Sequence, residues 1–463
     1  MNQKLLRLLP SVHVLLETPA LTKLISEVGQ EIVVDSVRKY LDNLRCKLIL
    51  ENAENIPIAP NQMADQIALA IQQVAKPVFR KVINATGIVL HTNLGRSPMA
   101  PSAAKAAHDA ACGYLNLEVD IETGKRSTRQ DAVRKWICKL LECESATVVN
   151  NCAAATIIVL RAVAKGKEVI VSRGQLIEIG GSFRLPEIME ASGAILREVG
   201  TTNITHLRDY QNAINQNTAA ILRVHPSNYR VHGFHDQPSL ADLVKLSKNN
   251  GLPMIDDVGS GALFPLSIPG YTEEPNPKTS LQTGADLTLF SGDKLLGGPQ
   301  SGIIAGTSKW ISKIEQDPLM RAFRVDKMTL AALENTLLLH LNKEKAQESI
   351  PTLRMLSTPL ETLKDRAESF LQMLSEQAKN LCTTRLGKGF AGGGTLPTQE
   401  MDSWLVEVFD PSKSTEKIAH TLRTGTPSVF ARIENARILL DLRTVPECDL
   451  PLLASSLSKA VTI

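Results

Sequence analysis

Leu21, Leu24, Ile25, Val28, Ile32, Val33, Val37, Tyr40, Leu41 and Leu44 recur mostly at steps of three and four residues. That spacing puts apolar side chains on one broad helix face, so the chain opens with a helical segment, residues 1–75. From Lys81 to Asp326 the pattern changes. Short β-branched and apolar runs (Thr147–Val149, Glu168–Val171, Ala219–Val224, Pro253–Ile255 and Asp286–Phe290) alternate with Ala- and Leu-rich stretches of helix length. The alternation predicts parallel strands joined by crossover helices, an α/β sheet covered on both faces, across residues 76–326. Beyond Met328 a leucine-rich helix runs through Leu341, and Trp404–Phe409 and Arg437–Leu442 read as strands among helices. Residues 327–463 are therefore expected to form a small α+β C-terminal domain.

With 463 residues and 43% hydrophobic content the chain can bury at least one large core. Its formal charge of +3 is too small to argue for nucleic acid on composition. Cys46, Cys112, Cys138, Cys143, Cys152, Cys382 and Cys448 are scattered without a Cys-x-x-Cys, which fits a reducing compartment and argues against a structural zinc site. Met1 to Leu16 is leucine-rich, yet Arg7 and His13 interrupt it, and no small-residue cleavage pattern follows. No apolar run nears membrane-spanning length. Neither export nor membrane insertion is expected, and the cytoplasm is the expected compartment. Arg38, Lys39, Arg45 and Lys47 close the first helical stretch as a solvated or phosphate-facing group.

The chemistry concentrates around one lysine. Ser291-Gly292-Asp293-Lys294-Leu295-Leu296-Gly297-Gly298-Pro299 follows the strand-like run Ala285–Phe290 and sets Lys294 in a bed of small residues. Glycines let the backbone close around a flat aldehyde cofactor, and a desolvated ammonium loses its proton readily, so Lys294 suits a Schiff base with pyridoxal phosphate. Val148 to Thr156 runs from a strand into an alanine-rich helix. The turn at Asn151, Cys152 and Ala153 offers free amides and a positive dipole end to the cofactor's phosphate.

Asp256 and Asp257 end another strand ahead of Gly259-Ser260-Gly261, at the edge where α/β sheets hold ligands. One carboxylate there keeps the pyridine nitrogen protonated and makes the ring an electron sink. Alternate strand residues face opposite sides, and Asp257 is favoured because Asp-x-Gly leaves room beside it. Val224 to Arg230 follows a further strand and offers Asn228 or His225 to the ring. Arg96, and the pair Arg321 and Arg324 spaced to share a helix face, are candidates for a tetrahedral oxyanion.

These residues resemble the bacterial L-seryl-tRNA(Sec) selenium transferases, or selenocysteine synthases. The likeness covers Lys81–Gly87, His91–Arg96, Tyr114–Glu118, Ser172–Arg184, Gly200–Asn203, Asp257–Gly261, Ser291–Gln300 and Arg321–Glu334, and more weakly Asp441–Arg443. The resemblance implies fold type I of the pyridoxal-phosphate-dependent transferases, the aspartate-aminotransferase-like architecture. It also implies the cofactor on Lys294, and conversion of seryl-tRNA(Sec) to selenocysteinyl-tRNA(Sec) with selenophosphate through an aminoacrylyl intermediate. It further implies tRNA binding by the helical N-terminal domain, Arg96, Arg321 and Arg324 on the selenium donor's phosphate, and a homo-oligomer of dimers, commonly a decamer. Ser127 stands where the family often has glycine, which predicts a strained backbone if a positive φ is required there.

Two rival readings remain. A lyase on the same fold would act on a small amino acid or amino sugar without tRNA; the helical first segment and the three arginines argue against it. A non-catalytic nucleotide- or RNA-binding protein would need a Gly-x-Gly-x-x-Gly after a strand, or a P-loop, and neither is expected.

Overall fold

The apolar stripe from Leu21 to Leu44 is carried by two helices rather than one. In the computed structural model, which describes residues 9–50, 59–74, 77–180, 183–229, 231–265, 274–395 and 400–462, Gly29 adopts φ 90° and breaks the run. Arg7, the pair 181–182 and the expected boundary at 75–76 lie outside the described residues. Helices α1 (Val12–Leu16), α2 (Pro19–Val28), α3 (Gln30–Leu50) and α4 (Pro60–Val74) bury Leu15, Leu21, Leu24, Val33, Val37, Leu41, Met63 and Ile67 against one another. Arg38, Lys39, Arg45 and Lys47 are exposed, and Arg45 pairs with Asp42 at 2.7 Å. This group is a compact unit of its own, Met1–Lys81.

The second unit, Val82–Ile463, holds the large sheet. Its strands are β1 (Ser145–Val149), β2 (Glu168–Ser172), β3 (Ile195–Val199), β4 (Thr218–Val224), β5 (Met254–Gly259), β6 (Leu287–Ser291) and β7 (Gly302–Gly306). They lie in the order β1-β7-β6-β5-β4-β2-β3. The sheet is not wholly parallel as expected: β7 runs antiparallel to both its neighbours, β1 and β6. The remaining pairs are parallel. Strands β1, β2, β5, β6 and β7 are buried nearly throughout, as a sheet covered by helices on both sides requires. Helices α5 (Asp131–Leu141), α6 (Cys152–Ala164) and α7 (Lys327–Leu339) contribute to that cover.

Residues 327–463 cluster with this core. They contribute a four-stranded antiparallel sheet of β8 (Cys382–Phe390), β9 (Glu400–Val408), β10 (Arg432–Glu434) and β11 (Arg437–Asp441), ordered β8-β9-β11-β10. Val82–Asn84 pairs in parallel with Ser428–Phe430, stitching the start of the unit to its end. Gly387 to Gly392 does carry the Gly-x-Gly-x-x-Gly spacing, contrary to expectation. It lies within β8 and the turn after it, and residues 393–395 directly behind it form no helix, so it lacks the strand-to-helix setting of a dinucleotide loop.

Ser127 carries no strain. Among the described residues the non-glycine positions with positive φ are Arg96, Glu142, Asn435 and Ala436, and the Ser127 amide donates to the Glu118 carbonyl at 3.0 Å. Among the described residues no helix is long and apolar enough to cross a membrane.

The start of α6 is held against β7 by a glycine. A Cβ at Gly302 would sit 2.1 Å from the Asn151 carbonyl oxygen and 3.0 Å from the Cys152 amide nitrogen. Gly302→Ala must displace that turn, and the expected loss is about 1–3 kcal/mol, the usual cost of overpacking. Chemical unfolding of the variant against wild type checks it, and an unchanged midpoint would show that the turn yields freely.

Candidate active site

The carboxyl ends of β1, β4, β5 and β6 surround a cavity of ≈ 190 Å³ in this second unit. Each delivers side chains for a different local reason. β6 ends at Ser291, and the turn that follows leaves Lys294 only 5% exposed. Its Nζ donates to the Gly394 carbonyl at 3.2 Å. Burial pushes the ammonium below the ordinary lysine range, and Arg96 pushes the same way, against the pull of Asp257 and Asp293.

β5 presents its two acids to opposite sides, as pleating dictates. Asp257 lines the cavity. Asp256 turns away and takes Ser280 Oγ at 2.6 Å and Arg223 Nη1 at 3.2 Å. Burial raises Asp257 to about 6, with Lys294 opposing the rise.

β1 leads into α6 through Asn151, whose side chain caps the helix by accepting from the Ala154 amide at 2.8 Å. Asn151, Cys152 and Ala153 all line the cavity, and first-turn amides of a helix have no intrahelical acceptor. The Cys152 thiol lies 4.0 Å from Asp257 Oδ1; burial drives its pKa far up, so it stays protonated. The cavity therefore joins an amine that sheds its proton readily, a buried carboxylate and an anion cradle. That set can hold a flat aldehyde bearing a phosphate.

Arg96 reaches the cavity from the loop after the Thr92–Leu94 turn. It sits at φ 61°, directly after Gly95 at φ 96°, a left-handed conformation that costs a non-glycine residue about 1–2 kcal/mol. Its Nη1 donates to Asp293 Oδ2 at 2.9 Å.

Three expected residues lie elsewhere. Asn228 is exposed and donates to the Glu178 carbonyl at 2.7 Å; the Ser227 amide folds back onto the His225 carbonyl at 2.8 Å, so His225 and Ser227 line the cavity in its place. Arg321 and Arg324 do not share a helix face. The short helical turn Pro318–Arg321 ends there, and a turn at Ala322 and Phe323 leads into an isolated bridge, with the Asn150 amide donating to the Phe323 carbonyl at 3.2 Å and Arg324 bridging Val149. Both arginines are exposed and neither lines this cavity; Arg324 Nη1 lies 3.9 Å from Glu118 Oε1. Residues not singled out from the sequence complete the site: Asp293, Thr156, Ser227 and Gly394. Thr156, four residues after Cys152 on a helix, was legible from spacing alone.

The fold matches that of D-glucosaminate-6-phosphate ammonia-lyase with a TM-score of 0.59, over 85% of this chain and 98% of that one, at 22% identity. The architecture is the fold type I arrangement expected from the sequence. A family model described as L-seryl-tRNA selenium transferase matches residues 82–446, and one described as selenocysteine synthase N terminal matches residues 6–45. The chain belongs to the L-seryl-tRNA(Sec) selenium transferase family. It is 45% identical over 446 residues to the L-seryl-tRNA(Sec) selenium transferase of Carboxydothermus hydrogenoformans, covering 96% of this chain and 95% of that one. To the protein of the same name from Desulfomicrobium baculatum it is 42% identical over 463 residues, covering 99% of each.

The buried acid makes the cofactor-free site destabilising at neutral pH. The folded pKa of Asp257, about 6, lies above the ordinary 3.8, so the folded state binds this proton more tightly than the unfolded chain. Stability from this group is present below pH about 4 and lost as pH rises through about 6. Asp257→Asn removes that loss. Without cofactor the variant should match wild type near pH about 4 and exceed it by up to about 3 kcal/mol near pH about 7.5. Urea unfolding at the two pH values checks this; a variant less stable at both would refute it.

Proposed function

We propose that this chain converts seryl-tRNA(Sec) to selenocysteinyl-tRNA(Sec), taking selenium from selenophosphate, with pyridoxal phosphate bound at Lys294. The observation that carries the reading is the buried Lys294 amine facing Asp257 in one cavity, with the open N-terminus of α6 beside them. Family membership over nearly the whole chain supports it.

Bound pyridoxal phosphate supplies an aldehyde that takes up an amine and a ring that accepts the electron pair of a broken C–H bond. The residues present fit it. Amides of Cys152 and Ala153 bind the phosphate, helped by the helix dipole. Asp257 holds its charge against the ring nitrogen, and a cation there reverses the burial penalty on the carboxylate. Lys294, neutral once its proton is lost, takes the proton from Cα of the seryl group and returns it later. Ile177, Leu185 and Val224 wall the cavity with apolar surface and keep water from these groups. Among the described residues of one chain Arg96 is the arginine that lines the cavity, and we assign the selenophosphate's phosphate to it.

Arg321 and Arg324, outside their own chain's cavity, take that role only where a second copy brings them to a site. We expect such a homo-oligomer, built of dimers and commonly a homodecamer, in the cytoplasm. The exposed apolar segment with Tyr114, Leu115, Val119 and Ile121 favours a partner copy. We assign binding of the tRNA to the helical unit, whose exposed Arg38, Lys39 and Lys47 can meet phosphates.

Purified protein given pyridoxal phosphate, charged tRNA(Sec) and selenophosphate should yield selenocysteinyl-tRNA. Borohydride reduction and peptide mapping should place the pyridoxyl adduct on Lys294, and Lys294→Ala should lose the adduct and at least about 10³-fold of the rate. Equal or absent binding of tRNA(Sec) and ordinary serine tRNA in a gel shift would favour a lyase acting on a small amino compound, and an adduct elsewhere or nowhere would end the catalytic reading.

A further inference from the structure

Asp257 is faced by two side chains from successive turns of one helix. Cys152 and Thr156 stand four residues apart on α6, so they project from the same face. Thr156 is 1% exposed. Its Oγ1 lies 3.0 Å from the Cys152 carbonyl and 3.4 Å from Asp257 Oδ2, while the Cys152 Sγ lies 4.0 Å from Oδ1. Each carboxylate oxygen thus meets a different α6 side chain.

A hydroxyl has one proton, and here two acceptors are in reach. Bonding to the carbonyl four residues back is the ordinary habit of a helical threonine. The second acceptor is the unusual one, because it is ionisable and belongs to the candidate site. The thiol is a weak donor and leaves the orienting to the hydroxyl. The other groups acting on Asp257 come from other elements: Lys294 after β6, and Asp256 and the Gly259 amide on β5 itself. His225 lines the same cavity from the end of β4.

We propose that Thr156 is a positioning residue for Asp257: its hydroxyl, turning from the Cys152 carbonyl to Oδ2, fixes the carboxylate's orientation and favours its anionic form against a cationic ring nitrogen. The inference rests on the cofactor reading above. It makes α6 a gauge for the whole cofactor, since the first-turn amides that meet the phosphate and the hydroxyl that orients Asp257 belong to one helix. The separation of the two ends is then set by helix geometry rather than by loops.

The test compares the wild-type holoenzyme with Thr156→Val, which keeps the shape and removes the hydroxyl, and Thr156→Ser, which keeps the hydroxyl. Two readouts are taken: the pH titration of the visible band of bound pyridoxal phosphate, and kcat and KM for seryl-tRNA(Sec). For Thr156→Val the spectral transition should move by about one pH unit and kcat should fall about tenfold, the scale of one hydrogen bond to a charged group. KM should stay within about twofold, as expected for a group that does not touch the substrate. Thr156→Ser should restore both readouts. A Thr156→Val enzyme whose titration and kcat overlay the wild type overturns the inference, and so does a Thr156→Ser enzyme as impaired as Thr156→Val. Should Thr156→Val fail to fold, Thr156→Ala against Thr156→Ser decides in the same way. A wild type with no visible band sinks the cofactor reading itself, an outcome seen before any variant is made.

Discussion

The structure is organised around holding an amine and a carboxylate together away from water. Lys294 and Asp257 are both nearly inaccessible, and burial moves each toward its neutral form. Neither group would be stable in such a place alone, because an isolated buried charge is expensive. Their proximity limits the cost, and so do the partners at each end: the Gly394 carbonyl for the amine, the Thr156 hydroxyl for the acid. A cavity of this kind is a poor contributor to stability and a good place for proton transfer, since burial disfavours the charged form of both groups.

Close packing keeps that pair in register. Lys294 follows β6, Asp257 lies two residues before the end of β5, and Gly394 belongs to the loop after β8, a hundred residues beyond the lysine. Gly392, Gly393 and Gly394 all take positive φ. A Cβ at Gly393 would stand 2.5 Å from the Leu90 carbonyl, and one at Gly392 would stand 2.4 Å from the Ile88 side chain. The loop therefore lies where only glycine fits, pressed between the Ile88–Leu90 segment and the lysine. The C-terminal part of the unit thus supplies the acceptor that holds the lysine.

How much of this was legible depends on the range over which each feature is specified. Lys294, Asp257 and the Asn151 cap follow from local rules: a strand end, alternation along that strand, and an N-cap at a strand-to-helix turn. Asn228 did not follow, because the Pro226–Ser227 turn rotates the chain by one residue and sends Ser227 inward; spacing does not encode that rotation. Arg321 and Arg324 carry helical spacing, yet pairing of Phe323 and Arg324 with the Val149–Asn150 edge overrides it. The direction of β7 was hidden for a similar reason. Gly302-Ile303-Ile304-Ala305-Gly306 is short and glycine-ended, and its antiparallel pairing is decided by β1 and β6 rather than by its own composition. The Gly394 contact, specified across a hundred positions, leaves no local trace beyond a run of three glycines.

Arg96 shows the same tension between local preference and tertiary demand. A left-handed backbone is costly for arginine, but two successive left-handed residues, Gly95 and Arg96, turn the loop back so that the Arg96 amide bonds the His91 carbonyl at 3.0 Å. The side chain then reaches Asp293, the residue directly before the lysine. This pairing has an electrostatic consequence. Any anion drawn to Arg96 competes with a carboxylate already 2.9 Å away, so a weakly charged monoanion gains little by displacing it. A phosphate group, with more charge and three oxygens to share among donors, competes better. Within the protein, the Asp293 carboxylate offsets the push of Arg96 on the neighbouring Lys294 ammonium.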